Sequence, residues 1–153
     1  VGGLLLSRKA TLACAESCTG GLIGHRLTNI PGSSDYFLGG MTVYSNRSKT
    51  DWLGVPQDAL LESGAVSVRT AEALASGVRR AAGADFGLAV TGIAGPGGGA
   101  PDKPVGLVYT ALAWDNGLET ERSLFLGNRE QVKFQSSQKA LDMLRRRLLK
   151  IRT

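Results

Sequence analysis

The sequence predicts an α/β domain, a three-layer α/β/α sandwich on a mixed, mostly parallel sheet of about five strands. Three observations carry this expectation. Helical segments interleave with short strands that are apolar or small on both faces, over about 11–15 and 86–91, as strands covered by helices on each side must be. Asp115-Asn116-Gly117 separates two alternating segments and is a specific hairpin signal. A chain of 153 residues fills one sizeable core and is too short for two ordinary domains, so one domain is expected over 1–153.

The elements follow in order. Residues 4–9 read as the tail of a helix, then comes the first strand, then a helix over about 19–28 with Leu22, Ile23 and Leu27 on one side, stopped by Pro31-Gly32. A second strand over about 36–44 contains Gly39-Gly40, which predicts a bulge or a close backbone approach. Ser45 is an N-cap candidate for a short helix that ends near Gly54, and Lys49 lies about one turn into it on the cap's face. Pro56 opens another short helix over about 57–63. Ser67 caps a longer one to about Ala82, with Val68, Ala71, Ala75, Val78 and Ala82 as an apolar stripe. After the third strand, the run 91–104 holds three prolines and must be a loop. Strands over about 105–114 and 119–126 and an amphipathic helix over about 129–151, with Leu141, Leu144, Leu148 and Ile151 on one face, complete the chain.

Composition narrows the function classes. With 42% hydrophobic and 20% charged residues the chain is globular rather than disordered or fibrous. The net charge of +5 gathers in Arg145, Arg146, Arg147, Lys150 and Arg152, near a helix C-terminus where the macrodipole favours cations. No zinc-finger spacing or aromatic RNA-binding signature accompanies it, so no nucleic-acid partner is expected. Cys14 and Cys18 read as reduced thiols, a strand residue and a helix-start residue poorly placed to bridge, and the expected compartment is the cytoplasm. No apolar run reaches the roughly 18 residues of a membrane span, and the start Val1-Gly-Gly-Leu-Leu-Leu6 is too short and uncharged for a signal peptide. No membrane partner is expected, and a start at Val1 reads as a piece of something longer.

In open α/β sheets ligands bind at the carboxyl ends of the strands, and Ser17, Tyr44 and Thr91 all lie just past such ends. Ser17, Cys18 and Thr19 form a strand-to-helix turn, where free N–H groups and the helix dipole favour an anion or a developing oxyanion. Ser17 is the candidate nucleophile and Cys18 its rival, since a helix start favours a thiolate. The one histidine, His25, lies two turns further along the same helix and points away, which argues against a Ser-His-Asp triad. No ligand spacing for a metal is present. A serine without histidine needs a lysine kept neutral by its surroundings, sometimes with a tyrosine relaying the proton, and Tyr44 and Lys49 are the nearest candidates. Spacing alone more readily gives Tyr44 as a strand-end core residue and Lys49 as a solvated helix lysine. Gly95, Gly97 and Ala100 match G-x-G-x-x-A, but Pro101 and Pro104 forbid the helix that motif requires, and Lys103 is not in a Walker context. The loop is either a nest that brings bare N–H groups to a phosphate or ribose, or a plain surface loop.

Ala15-Glu-Ser-Cys-Thr-Gly-Gly21, Val43-Tyr-Ser-Asn46 with Lys49, Gly64-Ala-Val-Ser67, Thr91-Gly-Ile-Ala-Gly-Pro-Gly-Gly98 and Lys103-Pro-Val-Gly106 together resemble the C-terminal domain of the competence/damage-inducible protein CinA, the PncC family of nicotinamide-nucleotide amidohydrolases. The resemblance spans nearly the whole chain in the family's order. It implies deamidation of nicotinamide mononucleotide to nicotinate mononucleotide and ammonia, in bacterial pyridine-nucleotide salvage, with no metal and no cofactor. It implies a catalytic Ser17, Tyr44 and Lys49, with N–H groups around Thr19 and Gly20 holding the oxyanion. Thr91, Gly92, Gly95 and Gly97 would face the nucleotide and Arg129 its phosphate. Asn128 and Lys133 stand where the family pattern leads to an acidic residue and an arginine. A homo-oligomer, a dimer, is implied, and longer members carry a further N-terminal domain whose activities do not transfer to this chain. A non-catalytic nucleotide-binding or regulatory module is the alternative.

Overall fold

The computed structural model describes residues 1–150. Its elements are α1 (Gly2–Ser7), β1 (Leu12–Glu16), α2 (Leu22–Thr28), β2 (Phe37–Thr42), α3 (Asn46–Leu53), a wide helical turn Ala59–Ser63, α4 (Val68–Ala82), β3 (Phe86–Gly92), β4 (Leu107–Trp114), β5 (Gly117–Leu124) and α5 (Arg129–Lys150). Expected positions Ile151 and Arg152 lie outside the described residues.

The sheet order is β2-β1-β3-β4-β5. β1 pairs parallel with β2 and with β3, and the β4–β5 hairpin adds antiparallel strands beyond β3. β2, β1 and β3 therefore end at one edge, which is what brings residues 17, 43–44 and 91–92 together. The predicted bulge is present: Leu12 faces Phe37 while Ala13 faces Gly39, which leaves Leu38 extra.

Alternation along the strands sends side chains to two unlike cores. On one face Leu12, Cys14, Phe86, Leu88, Val90, Val108 and Leu112 meet α1, α2 and α5 through Leu5, Ile23, Leu27, Val132, Met143, Leu144 and Leu148. On the other, Ala13, Ala15, Ala89, Ala111 and Ala113 meet Leu53 of α3 and Ala71, Leu74, Ala75 and Val78 of α4. Small side chains on both partners let α4 lie close on the sheet. A Cβ at Gly87 would stand 2.1 Å from the Ala75 carbonyl oxygen, with no flexible side chain to yield. Gly87→Ala is therefore expected to destabilise the domain by about 1–3 kcal/mol, read as a lower urea midpoint at unchanged slope.

The caps explain the helix boundaries. Ser45 and Ser67 accept from the N–H groups of Ser48 and Thr70, and Gly54 and Gly83 end α3 and α4 in left-handed conformations. Three expectations need correction. Helix α2 starts at Leu22 rather than Thr19, because Gly20 and Gly21 take φ of 63° and 97° and hold 17–21 as a turn. Val68 is 43% exposed at the first helical position, and the buried stripe of α4 runs through Ala71, Leu74, Ala75, Gly77 and Val78. β4 ends at Trp114 as expected but begins two residues late, and β5 begins and ends two residues early, since Asp115-Asn116 alone form the turn and Gly117 already pairs with Trp114.

Candidate active site

Ser17 follows the buried strand β1, and its N–H donates to the Val90 carbonyl at 3.0 Å, which anchors the turn to β3. Lys49 reaches it from α3. Its Nζ lies 3.3 Å from Ser17 Oγ and donates to the carbonyls of Val43 at 2.8 Å and Tyr44 at 3.0 Å. Lys49 is 1% exposed, and that burial pulls its ammonium below the usual lysine range. A neutral amine has two N–H donors and one lone pair. As an ammonium Lys49 donates to all three oxygens; once neutral, it keeps two donors for the carbonyls and can turn its lone pair to the Ser17 hydroxyl.

Tyr44 contributes through its backbone to Lys49 and through its side chain elsewhere. The phenol is 61% exposed and accepts from Arg129 Nη2 at 3.0 Å, while Arg129 Nη1 donates to the Gly95 carbonyl at 2.7 Å. Arg129 thus ties the start of α5 to the end of β2 and to the glycine-rich loop. Lys133, one turn further along α5, stands over the Ser17 turn: a Cβ on Gly20 would be 3.6 Å from its Nζ. Asn128 and Gln131 cap α5 reciprocally, with Gln131 N–H donating to Asn128 Oδ1 at 3.0 Å and Asn128 N–H to Gln131 Oε1 at 2.9 Å. An amide at position 128 therefore serves the cap as an acid would.

The remaining expected residues fall in distinct places. Thr91 is buried and donates its hydroxyl to the Ala65 carbonyl at 2.7 Å, which fastens the end of β3 to the segment before α4. Gly92 is a close-packing glycine, since a Cβ there would meet Val108 Cγ2 at 2.6 Å. Gly95 offers its carbonyl to Arg129, and Gly97 borders open space. Lys103 turns to the Ser63 carbonyl at 2.6 Å.

The turn's N–H groups are mostly committed. Gly20 N–H donates to Ser17 O, Leu22 N–H to Thr19 O, and Gly21, Ile23 and Gly24 N–H groups to the carboxylate of Glu16. Cys18 and Thr19 keep N–H groups without a carbonyl or carboxylate acceptor among the described residues, and the buried Oγ1 of Thr19 is also unpartnered. The start of α2 is accordingly filled by Glu16, a residue that sequence reasoning passed over. An acidic residue at a strand end, five positions before a Gly-Gly helix start, was the available signal.

Burial disfavours Cys18 as the rival nucleophile. It is buried, and burial pushes its thiol up to about 12, against the pull of its own N–H and of the Arg129 and Lys133 charges. Cys14 is raised as well, by burial and then by Glu16. Both thiols are expected to resist iodoacetamide at pH 8 in the folded protein and to react in urea, as mass spectrometry of the alkylated chain will show. His25 is exposed, and its ring lies 3.3 Å from the Asn29 side-chain amide. Among the described residues no group of His, Cys, Asp and Glu is placed to hold a metal, and no helix is long and apolar enough to cross a membrane.

Comparison with known proteins places this arrangement. The family model described as the CinA C-terminal domain matches residues 1–148. A Moorella thermoacetica protein named as competence-damage inducible is 57% identical over 147 residues, which cover 96% of this chain and 36% of that protein. A CinA-like protein of Geotalea uraniireducens is 55% identical over 143 residues, 94% of this chain and 34% of its own length. The chain thus spans about a third of the length of these relatives. Among solved structures, the competence damage-inducible protein A of Klebsiella pneumoniae superposes with a TM-score of 0.93 at 33% identity, covering 97% of this chain and 92% of that one. A competence/damage inducible protein of Agrobacterium tumefaciens gives 0.91 at 41% identity, covering 93% and 87%. The chain belongs to the CinA C-terminal domain family.

Proposed function

We propose that this domain is an amidohydrolase that converts nicotinamide mononucleotide and water to nicotinate mononucleotide and ammonia, with Ser17 as nucleophile and Lys49 as its base. The single observation that carries the proposal is the buried Lys49 amine 3.3 Å from Ser17 Oγ, with two carbonyls on its other side. A nucleotide-binding module has no need of such a pair.

In this reading Ser17 Oγ attacks the carboxamide carbon as its proton passes to Lys49. The tetrahedral oxyanion turns to the Cys18 and Thr19 N–H groups, the two amides of the turn that no carbonyl or carboxylate takes. This revises the donors inferred from sequence, because the Gly20 N–H is spent on Ser17 O. Lys49 then returns the proton to the leaving nitrogen, ammonia departs, and water, deprotonated by the same amine, opens the ester at Ser17. Tyr44 serves in two places: its carbonyl orients Lys49 and its hydroxyl orients Arg129. Arg129, held by the Gly95 carbonyl and the Tyr44 hydroxyl, and the Lys133 ammonium over the Ser17 turn supply positive charge for the substrate's phosphate.

The test is ammonia release from nicotinamide mononucleotide by the purified chain, with the nucleotide product identified by mass. Stoichiometric ammonia and nicotinate mononucleotide are expected. Tight binding of the nucleotide with no ammonia above buffer would favour the binding module instead.

A further inference from the structure

We infer that Glu16 is the positioning residue for the nucleophile: its buried carboxylate holds the 17–21 turn in the shape that sets Ser17 Oγ against Lys49. The inference rests on the amide-hydrolysis reading above. Glu16 ends β1 and Ser17 follows it, so their side chains leave on opposite faces of the sheet, the carboxylate under α2 and the hydroxyl toward α3. Glu16 is 1% exposed. Its Oε2 accepts from Gly21 N–H at 3.1 Å and Ile23 N–H at 3.0 Å, and its Oε1 from Gly24 N–H at 2.9 Å. Its own carbonyl accepts from Val43 N–H at 2.9 Å.

One residue is therefore tied to β2 through its backbone and to α2 through its side chain, and the nucleophile's turn is strung between the two. Within the turn only two backbone bonds, Gly20 N–H to Ser17 O at 3.1 Å and Leu22 N–H to Thr19 O at 3.3 Å, oppose the freedom of Gly20 and Gly21. The carboxylate supplies three more, all charge-assisted.

Glu16→Gln keeps the side chain's size but sets an NH2 donor against at least one of the three N–H groups. Its kcat for ammonia release is expected to fall on the order of 10- to 100-fold, the cost of a displacement of about 1 Å at a reacting atom. KM and the pH midpoint governed by Lys49 are expected to stay as in the wild type. A kcat per folded molecule equal to that of the wild type, with the folded fraction measured by circular dichroism, would overturn the positioning role. Both proteins are also treated with a fluorophosphonate, which forms an Oγ–P bond at an activated serine and releases fluoride whatever the natural substrate. Slower labelling of Ser17 in Glu16→Gln supports the inference, and equal labelling overturns it. A wild type that labels at Ser17 but releases no ammonia refutes the substrate reading alone, and one that does neither refutes both.

Discussion

Lys49→Met is expected to lower kcat for amide hydrolysis by about 10²- to 10⁴-fold, the range that general acid–base groups contribute. Methionine fills the same buried volume without an amine, so the loss reports chemistry rather than collapse of α3. The variant also tests the protonation state. Burial lowers the Lys49 pKa from its ordinary 10.5. Between the lowered folded value and 10.5 the unfolded chain carries the proton and the folded chain does not, so stability rises with pH across that window. Below it both states are protonated and the full desolvation cost remains. Thermal melts are therefore expected to show wild-type stability gaining on the Lys49→Met variant as pH rises toward 10.5. In the wild type kcat/KM should climb with pH along a limb set by the same lowered pKa, and no such limb should remain in the variant's residual activity.

Ser17→Ala is expected to lower kcat by on the order of 10³-fold or more, since a nucleophile and its base act as a unit and removing either leaves only binding and oxyanion stabilisation. Ser17 is 9% exposed and its backbone bonds to Val90 and Gly20 do not involve the side chain, so the fold should tolerate the change. Nucleotide affinity should stay within a few-fold, because Arg129 and the glycine-rich loop are untouched. The double variant with Lys49→Met should be no slower than Ser17→Ala alone; additive losses would mean that the two residues act separately.

The features legible in the sequence are those written in local chemistry. Ser45 and Ser67 cap their helices as cap residue types do, Ser67 ahead of an apolar stripe, and Asp115-Asn116 turns the hairpin between two alternating strands. Ser17 and Lys49 could be paired as candidates because each follows the end of a parallel strand, and parallel neighbours end at one edge. What stayed hidden depends on partners distant in the chain or on burial. The Thr91 hydroxyl is taken by Ala65, 26 residues earlier, and the Tyr44 phenol by Arg129, 85 residues later. Cys18 reads locally as an activated thiol, yet packing under α5 removes the solvent that a thiolate needs. Glu16 defeats the local expectation of an open anion site at α2, because the anion that fills it belongs to the protein. Asn128 is the opposite case, for its capping box with Gln131 stands in the sequence at the usual spacing.

The central claim is that Ser17 forms a covalent ester with the carboxamide carbon. It is tested most directly by acid-quenching the chain during turnover of nicotinamide mononucleotide and measuring its mass and the site of modification. An adduct of nicotinate mononucleotide, less one water, on the peptide that contains Ser17, absent from Ser17→Ala, is the result expected. Ammonia released at the wild-type rate by Ser17→Ala, with no adduct on either protein, would contradict it.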